Sequence, residues 1–359
     1  MKRFHTMIGS ATMTAARFCT FILLLLCVAS VSQILRAQSI GRVGTSAASF
    51  LKIGVGSRAL GMGEAYTTIA EDASAMYWNP AGIAAGTQAQ MIYSHYNYIA
   101  DINYDFGGVV VPMGDVGTFG AFAGSLDYGE IERTTVQSPN GTGEKVSAGS
   151  FVFGVSYGRA LTDRFKIGGS VKYIRESIWH SSADGIAVDI GVLYTTFFKN
   201  IKIGMSISNF GTEMQMNGRD MLVQHDISEP IAGNNENLNA HLDADKFPLP
   251  ILFRIGLSSN IAKDFLGLEE YDLIVAADAV HPNDNYEYIN VGAELSLFKK
   301  LVSLRGGFRQ LMLAEREGGL TLGAGVETEV NGSIINVDYA YVDLGRFDSH
   351  NKITIMLSF

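Results

Sequence analysis

The sequence predicts an all-β protein, a transmembrane antiparallel β-barrel of about 14 strands whose bore holds an N-terminal plug with a short helix. Three observations predict it. From residue 88 to the end, segments of about ten residues alternate apolar and polar side chains, the length a tilted strand needs to cross a bilayer. The connections between these segments alternate short and long, as in barrels with tight turns at one rim and longer loops at the other. The hydrophobic content is 47% with 40 glycines, yet no long apolar helix follows residue 37, so the hydrophobicity is spread through alternating strands.

The chain opens with a leader. Lys2, Arg3 and Arg17 precede the apolar run 18–31, and a polar exit places Ala37 before Gln38. Charged, apolar and cleavage regions in that order make residues 1–37 a secretory signal peptide, with an apolar run too short to cross a bilayer as a helix. Leu26 before Cys27 is too bulky for a good lipoprotein cleavage site. Both cysteines, Cys19 and Cys27, fall in this leader, which leaves the exported protein no disulfide and no thiol chemistry. Loss of the leader removes Lys2, Arg3, Arg17 and Arg36 and no acid, moving the formal charge from −9 to −13. Such a balance argues against nucleic acid as a partner.

Residues 38–87 are the expected plug. Glycines at 54, 56, 61 and 63 run through small residues, and 71–78 has helix-forming character with Asp72 as a candidate N-cap. Pro80 then forbids continuation, since it lacks an N–H and clashes with the preceding turn. A compact, apolar, glycine-permissive segment followed only by strands suits the interior of a closed sheet. Arg58, Glu64 and Asp72 are charges within it. They are expected either to pair with lumen residues such as Lys172, Asp189 or Arg254, since buried charge is costly alone, or to sit in water at the periplasmic mouth.

The runs Arg58-Ala-Leu-Gly61-Met-Gly63, Glu71-Asp72-Ala-Ser-Ala75 and Tyr77-Trp78-Asn79-Pro80-Ala81-Gly82 resemble the N-terminal signature of the PorV/PorQ outer-membrane proteins. These are related to the FadL-type transporters of hydrophobic compounds, whose N-terminal hatch also carries Asn-Pro-Ala. About thirty residues match, and the ordered strands extend the likeness over most of the chain. At Asn79-Pro80-Ala81-Gly82 the sequence follows the FadL-type relatives, where PorV proteins tend to continue with a basic residue.

Residues 88–359 form the barrel. Strands are expected near 88–98, 104–113, 116–126, 148–160, 165–177, 184–196, 200–210, 250–260, 271–281, 286–298, 301–312, 319–330, 333–343 and 350–359, an even number that returns both ends to the periplasm. The alternation is plainest where Ile186, Val188, Ile190, Val192 and Tyr194 oppose Ala187, Asp189, Gly191 and Leu193. Short turns are expected at 114–115, 161–164, 197–200, 298–300 and 331–332, the last an Asn-Gly hairpin signal. Longer connections fall at 127–147, 211–247, 313–319 and 343–350, whereas 260–270 is long for a periplasmic turn and has room for a helical turn. Acids concentrate in 211–247 and Lys199, Lys263, Lys299 and Lys300 at the proposed periplasmic turns, so the outer face is expected to be acidic. Tyr96, Tyr98, Tyr173, Trp179, Tyr194, Tyr286, Tyr288 and Tyr341 are expected to supply interfacial girdles. The final strand puts Ile353, Ile355, Leu357 and the terminal Phe359 on one face. It resembles the signal by which the barrel assembly machinery recognises outer-membrane barrels.

Patterns with a chemical meaning have simpler explanations. Gly54-Val-Gly56-Ser-Arg-Ala59 fits a loose dinucleotide pattern, but no βαβ unit follows and close packing explains the glycines. His225, His241, Asp243 and Asp245 match no metal spacing and suit a solvated acidic loop, and His281-Pro-Asn-Asp-Asn285 suits a turn. The sequence has no GxSxG and no strand histidine credibly paired with a serine. Asn140-Gly-Thr142 and Asn331-Gly-Ser333 are turns before they are glycosylation sites. Asp278, residues 281–285 and Val291-Gly-Ala-Glu294 look like the family's later strand pair and are assigned to shape. No metal and no cofactor are expected, and no enzymatic activity.

The resemblance implies work in the type IX secretion pathway at the bacterial outer membrane: receiving secreted proteins from the translocon by their C-terminal signal domains and passing them on. The loops 211–247 and 127–147 are the candidate docking surfaces. The alternative is FadL-like passive uptake of a hydrophobic small molecule, which needs an apolar lumen pocket and a gap or kink in a wall strand. Glycines 107, 108, 117, 120 and 124 permit such a gap, although packing is their commoner use. A third possibility, a secreted soluble β-protein, conflicts with Phe359 and the outward apolar faces.

Overall fold

The computed structural model describes residues 43–98, 102–227, 237–268, 271–313, 316, 318–347 and 349–359. The expected leader, and Glu229 and Glu236 of the long loop, lie outside them. Fourteen strands form the wall: β1 (Gln90–Asn97), β2 (Asn103–Pro112), β3 (Thr118–Glu132), β4 (Lys145–Thr162), β5 (Phe165–Ile178), β6 (Ser181–Thr195), β7 (Lys202–Gly211), β8 (Leu252–Asn260), β9 (Asp272–Pro282), β10 (Tyr288–Leu297), β11 (Val302–Leu311), β12 (Leu320–Val330), β13 (Ser333–Asp343) and β14 (Ser349–Ser358). Each pairs antiparallel with its sequence neighbours, and β1 pairs with β14 from Gln90↔Ser358 to Tyr96↔Lys352, which closes the sheet. The expected all-β, 14-strand closed barrel is what forms. Among the described residues no helix is long and apolar enough to cross a membrane; the strands do so.

Burial alternates along the strands as lipid on one side and a filled bore on the other require. On β6, Ile186 and Ile190 are 55% and 58% exposed while Ala187 and Asp189 are buried. On β14, Ile353 and Ile355 face outward and Lys352 and Thr354 inward. From Ile186 to Tyr194, at a rise of about 3.3 Å per residue and a tilt of about 40°, the outward apolar band is about 20 Å tall.

The aromatic girdle differs from expectation. Tyr96 is buried in the bore, where its hydroxyl donates to the Gly54 carbonyl at 2.9 Å. Tyr173, one of the residues expected there, faces outward, and with the outward Tyr93 and Tyr339 it bonds across to the adjacent strand: Tyr93 to Asp105, Tyr173 to Asp184 and Tyr339 to Asn351. A phenol with its ring on lipid and its hydroxyl on a polar partner suits the edge of the apolar band.

One rim carries the barrel's two chain ends and tight turns; we call it the near rim. Within the connection 260–270, expected to be long for a turn, residues 261–266 form a single helical turn there. At the far rim β3, β4, β5 and β6 are 15, 18, 14 and 15 residues long against 8 to 11 for the other strands. These four rise above the rest. Within the long connection from β7 to β8, Leu222–His225 pairs with Leu238–His241, and Met214–Gln215 with Lys246–Phe247. Asp220 and Arg219 of this segment reach His180 at the β5–β6 tip, with Nδ1 3.1 Å from the Asp220 carboxylate and Nε2 2.8 Å from the Arg219 guanidinium.

Candidate functional site

The bore is occupied by the segment before β1. Four short pieces make it: a 3₁₀ turn (Ser49–Lys52), α1 (Ser57–Gly61), α2 (Ala75–Trp78) and a second 3₁₀ helix (Pro80–Ala85). The helix expected over 71–78 is thus a single turn. Asp72 does not cap it in the expected way; its carboxylate accepts the Ser74 N–H at 2.9 Å and the Ser74 hydroxyl. Asn79 ends α2 and starts the next helix. Its Oδ1 accepts from Ala81 N at 3.2 Å, and Nδ2 donates to the carbonyls of Thr67 at 2.9 Å and of Val192, in the wall, at 3.1 Å. Pro80 at the first helical position lacks only an N–H that would go unused. Ala81 and Gly82 are buried behind it.

The plug has its own apolar core. Val55, Leu60, Met62, Tyr66, Met76 and Trp78 are at most 1% exposed, and each such aliphatic side chain contributes about 1.5–3 kcal/mol by leaving water. Trp78 donates its indole N–H to the Val55 carbonyl at 2.8 Å.

The wall meets this core with glycine. Gly158, Gly168, Gly191, Gly204, Gly256, Gly292, Gly307 and Gly323, one on each of eight strands, leave no room for a methyl against residues 61–84 of the plug or the side chain of Asp278. At Gly63 (φ +63°) and Gly307 the two backbones touch, so neither tolerates a side chain. Gly61 approaches Gly323 less tightly, its Cα 3.1 Å from the would-be methyl. On β2 and β3, Gly108 and Gly120 receive Met76, whose side chain would lie 2.6 and 2.5 Å from added methyls. Of the glycines considered for a wall gap these two are packing sites, and β2 pairs with β3 continuously from Asn103↔Asp127 to Pro112↔Thr118.

Charge pins plug to wall. Arg58 donates from Nε and Nη2 to both oxygens of Glu294 on β10, at 2.8 and 2.7 Å, and reaches Asp72 at 3.5 Å. Arg305, opposite Glu294 in register, donates to it and to Asp338 at 2.5 Å each. Glu64 pairs with Arg309 at 3.2 Å. Asp278 accepts the backbone N–H of both Tyr66 and Thr67 at 2.8 Å. At the near rim Glu71 meets Lys202 at 2.6 Å and Lys166 at 3.6 Å. Burial by itself would raise the Glu71 carboxyl, but Lys202 and then Lys166 outweigh it and hold the group below its ordinary value.

The lumen partners anticipated for the plug's charges are therefore corrected. Lys172 and Asp189 pair with one another at 2.8 Å. They are diagonal neighbours across β5 and β6, where Ser170 faces Asp189 and Lys172 faces Ala187. Arg254 touches the plug through an aromatic face, its guanidinium 5.4 Å from the Trp78 ring. Asp278 and Glu294, assigned to shape, hold the plug. Glu294, Arg305 and Asp338 carried a signal in the sequence: each is a charge on the inward register of an alternating strand.

Two of the cavities beside the plug are lined by charge. The far one, about 300 Å³, is lined by Lys52, Glu64, Asp284, Arg309 and Lys352 with Tyr98 and Tyr288; the near one, about 120 Å³, by Arg58, Glu294, Arg305 and Asp338 among others. Both are charged. Among the described residues no three His, Cys, Asp or Glu side chains gather to hold a metal.

A model of the family described as type IX secretion system protein PorV matches residues 36–220. The chain belongs to the PorV family. The matched stretch takes in the plug signature and the first seven strands of this PorV-family barrel. No curated protein matches it. Among solved structures it is similar to the toluene transporter TbuX of Ralstonia pickettii, at 14% identity over 85% of this chain and 97% of that one, with a TM-score of 0.50. It is similar also to the toluene transporter TodX of P. putida, at 12% identity over 85% and 97%, with a TM-score of 0.53. At such identities the likeness is one of fold.

Proposed function

We propose that this barrel is a non-enzymatic component of type IX protein secretion, which receives secreted proteins at its far rim and hands them on at the cell surface. Membership of the PorV family carries the proposal. On this account the near rim, with both barrel ends and the lysine-bearing turns, faces the periplasm, and the barrel assembly machinery engages β14 through Ile353, Ile355, Leu357 and Phe359. The candidate docking surface is the raised side of the far rim, made by β3 to β6 and residues 212–227 and 237–251 of the β7–β8 connection. The hairpin tip tied to that segment by His180, Asp220 and Arg219 makes it a scaffold on which a partner can dock without first paying to order a loop. FadL-like uptake needs an apolar pocket and an open wall, and the charged far cavity and the Met76-filled glycines favour secretion over it.

The test is cross-linking in cells. A photo-reactive residue at Phe247, 46% exposed beyond the far rim, should capture proteins bearing C-terminal secretion domains, and one at lipid-facing Ile190 should not. Capture of no such protein from either position, with a hydrophobic compound co-purifying in the lumen, would reverse the assignment in favour of uptake.

A further inference from the structure

The far cavity holds an unbalanced charge. Its acids each have a dedicated cation: Lys52 lies 2.6 Å from Asp284 and Arg309 lies 3.2 Å from Glu64. Lys352 has none. Its side chain points inward from β14 and lines the cavity, the residue is 3% exposed, and among the described residues no carboxylate lies within ion-pair distance. Its ammonium sits 3.9 Å from the centre of the Tyr96 ring. One aromatic face offsets only part of the cost of taking an ammonium out of water.

The remaining space suits a ligand of particular chemistry. One uncompensated positive charge matches one negative charge, while a phosphate dianion would face Asp284 and Glu64 as well. At about 30 Å³ for each water displaced, a cavity of about 300 Å³ takes roughly ten non-hydrogen atoms. Tyr98, Tyr288 and Leu344 give it surfaces for a short carbon body. We propose that this vestibule binds a single carboxylate group, with the Lys352 ammonium as its counter-ion. The carboxylate belongs either to a small free acid or to the end of a polypeptide, and the site stands whether or not the barrel receives cargo.

The full-length barrel in detergent, titrated with 4-fluorobenzoate and followed by ¹⁹F line broadening, tests this. Saturable binding is expected, weakened about tenfold or more for the neutral isostere 4-fluorobenzamide and in Lys352→Met, and retained in Lys352→Arg, as loss of one charge-assisted hydrogen bond implies. Heat-modifiable gel migration reports whether each variant is folded. Should Lys352→Met fail to fold, the acid and amide compared on the unaltered protein still decide. Displacement of the probe by a pentapeptide with a free C-terminus, but not by its amidated form, identifies the source as a chain end; a bound probe that neither peptide displaces identifies it as a free acid. Equal binding of acid and amide, equal binding by Lys352→Met, or no binding at all overturns the proposal.

Discussion

Removing either end of the Arg58–Glu294 pair should loosen the plug, and removing both should cost much less than the sum. The two contacts, at 2.8 and 2.7 Å, are charge-assisted and run from two guanidinium nitrogens to the two carboxylate oxygens. Such bonds contribute about 1.5–3 kcal/mol each when fully buried. Glu294 is 4% exposed but Arg58 is 27% exposed, so water competes at one end, and the coupling should be about 2 kcal/mol. Arg58→Met leaves Glu294 with Arg305, and Glu294→Gln leaves Arg58 with Asp72 and Arg305 with Asp338. Arg305→Met is harsher. It strips Asp338 of its ion-pair partner among the described residues and should cost about 3–5 kcal/mol, the range for a buried pair broken at one end. Urea unfolding in detergent measures all of these, provided that the transitions are reversible. The chain has two tryptophans, and in a Trp179→Phe background the fluorescence of Trp78, 1% exposed in the plug, reports the plug alone. Additivity of the two single changes within about 0.5 kcal/mol, or an Arg305→Met no more costly than Arg58→Met, would refute the pinning argument.

Three further outcomes follow from the same contacts. Gly307→Val should expel the plug while the barrel stays folded, because the new side chain meets the backbone of Met62 and Gly63, which cannot rotate away; a red-shifted Trp78 with unchanged heat-modifiable migration is expected, and a native spectrum would contradict it. Asn79→Ala should cost about 1–3 kcal/mol of stability in the same urea assay, since a helix cap, a buried carbonyl partner and a half-buried one are lost together. Glu71, held below its ordinary value by Lys202 and Lys166, stabilises the seated plug above the carboxyl's unfolded value, and that contribution disappears as the pH falls through the lowered folded value. The Trp78 signal should therefore be flat from neutrality to about pH 5 and shift only below it, and Glu71→Gln should flatten that acid limb.

The wall was legible because lipid imposes one rule on every strand. Expected spans 165–177 and 333–343 meet Phe165–Ile178 and Ser333–Asp343, and the outward faces of β6 and β14 follow their sequence alternation. The strands undercalled were β3 and β4, whose far ends leave the apolar band. There Glu130 pairs with Lys145 at 2.6 Å with both side chains in water, so alternation has no lipid to obey and the stretch looks like a loop. The plug's partners were not legible. Which inward charge meets Arg58 depends on the path of the plug through the bore, which no local pattern records, although Lys172 and Asp189 could have been matched to each other once the β5–β6 register was counted. Tyr96 misled for a related reason: an aromatic near a strand end suits a girdle or a bore equally well, and only the parity of its strand separates the two.

That the segment before β1 sits inside the closed wall is tested most directly by a cross-link. Ser57 and Thr354 place their hydroxyl oxygens 3.0 Å apart, one in the plug and one on the inward face of β14. The double variant Ser57→Cys, Thr354→Cys should form a disulfide under mild oxidation in native membranes, seen as altered gel migration that reductant reverses, while Ser57→Cys with the outward Ile353→Cys should not. Free thiols in the first pair, both open to a bulky water-soluble maleimide, would mean that the bore is not where this segment lies.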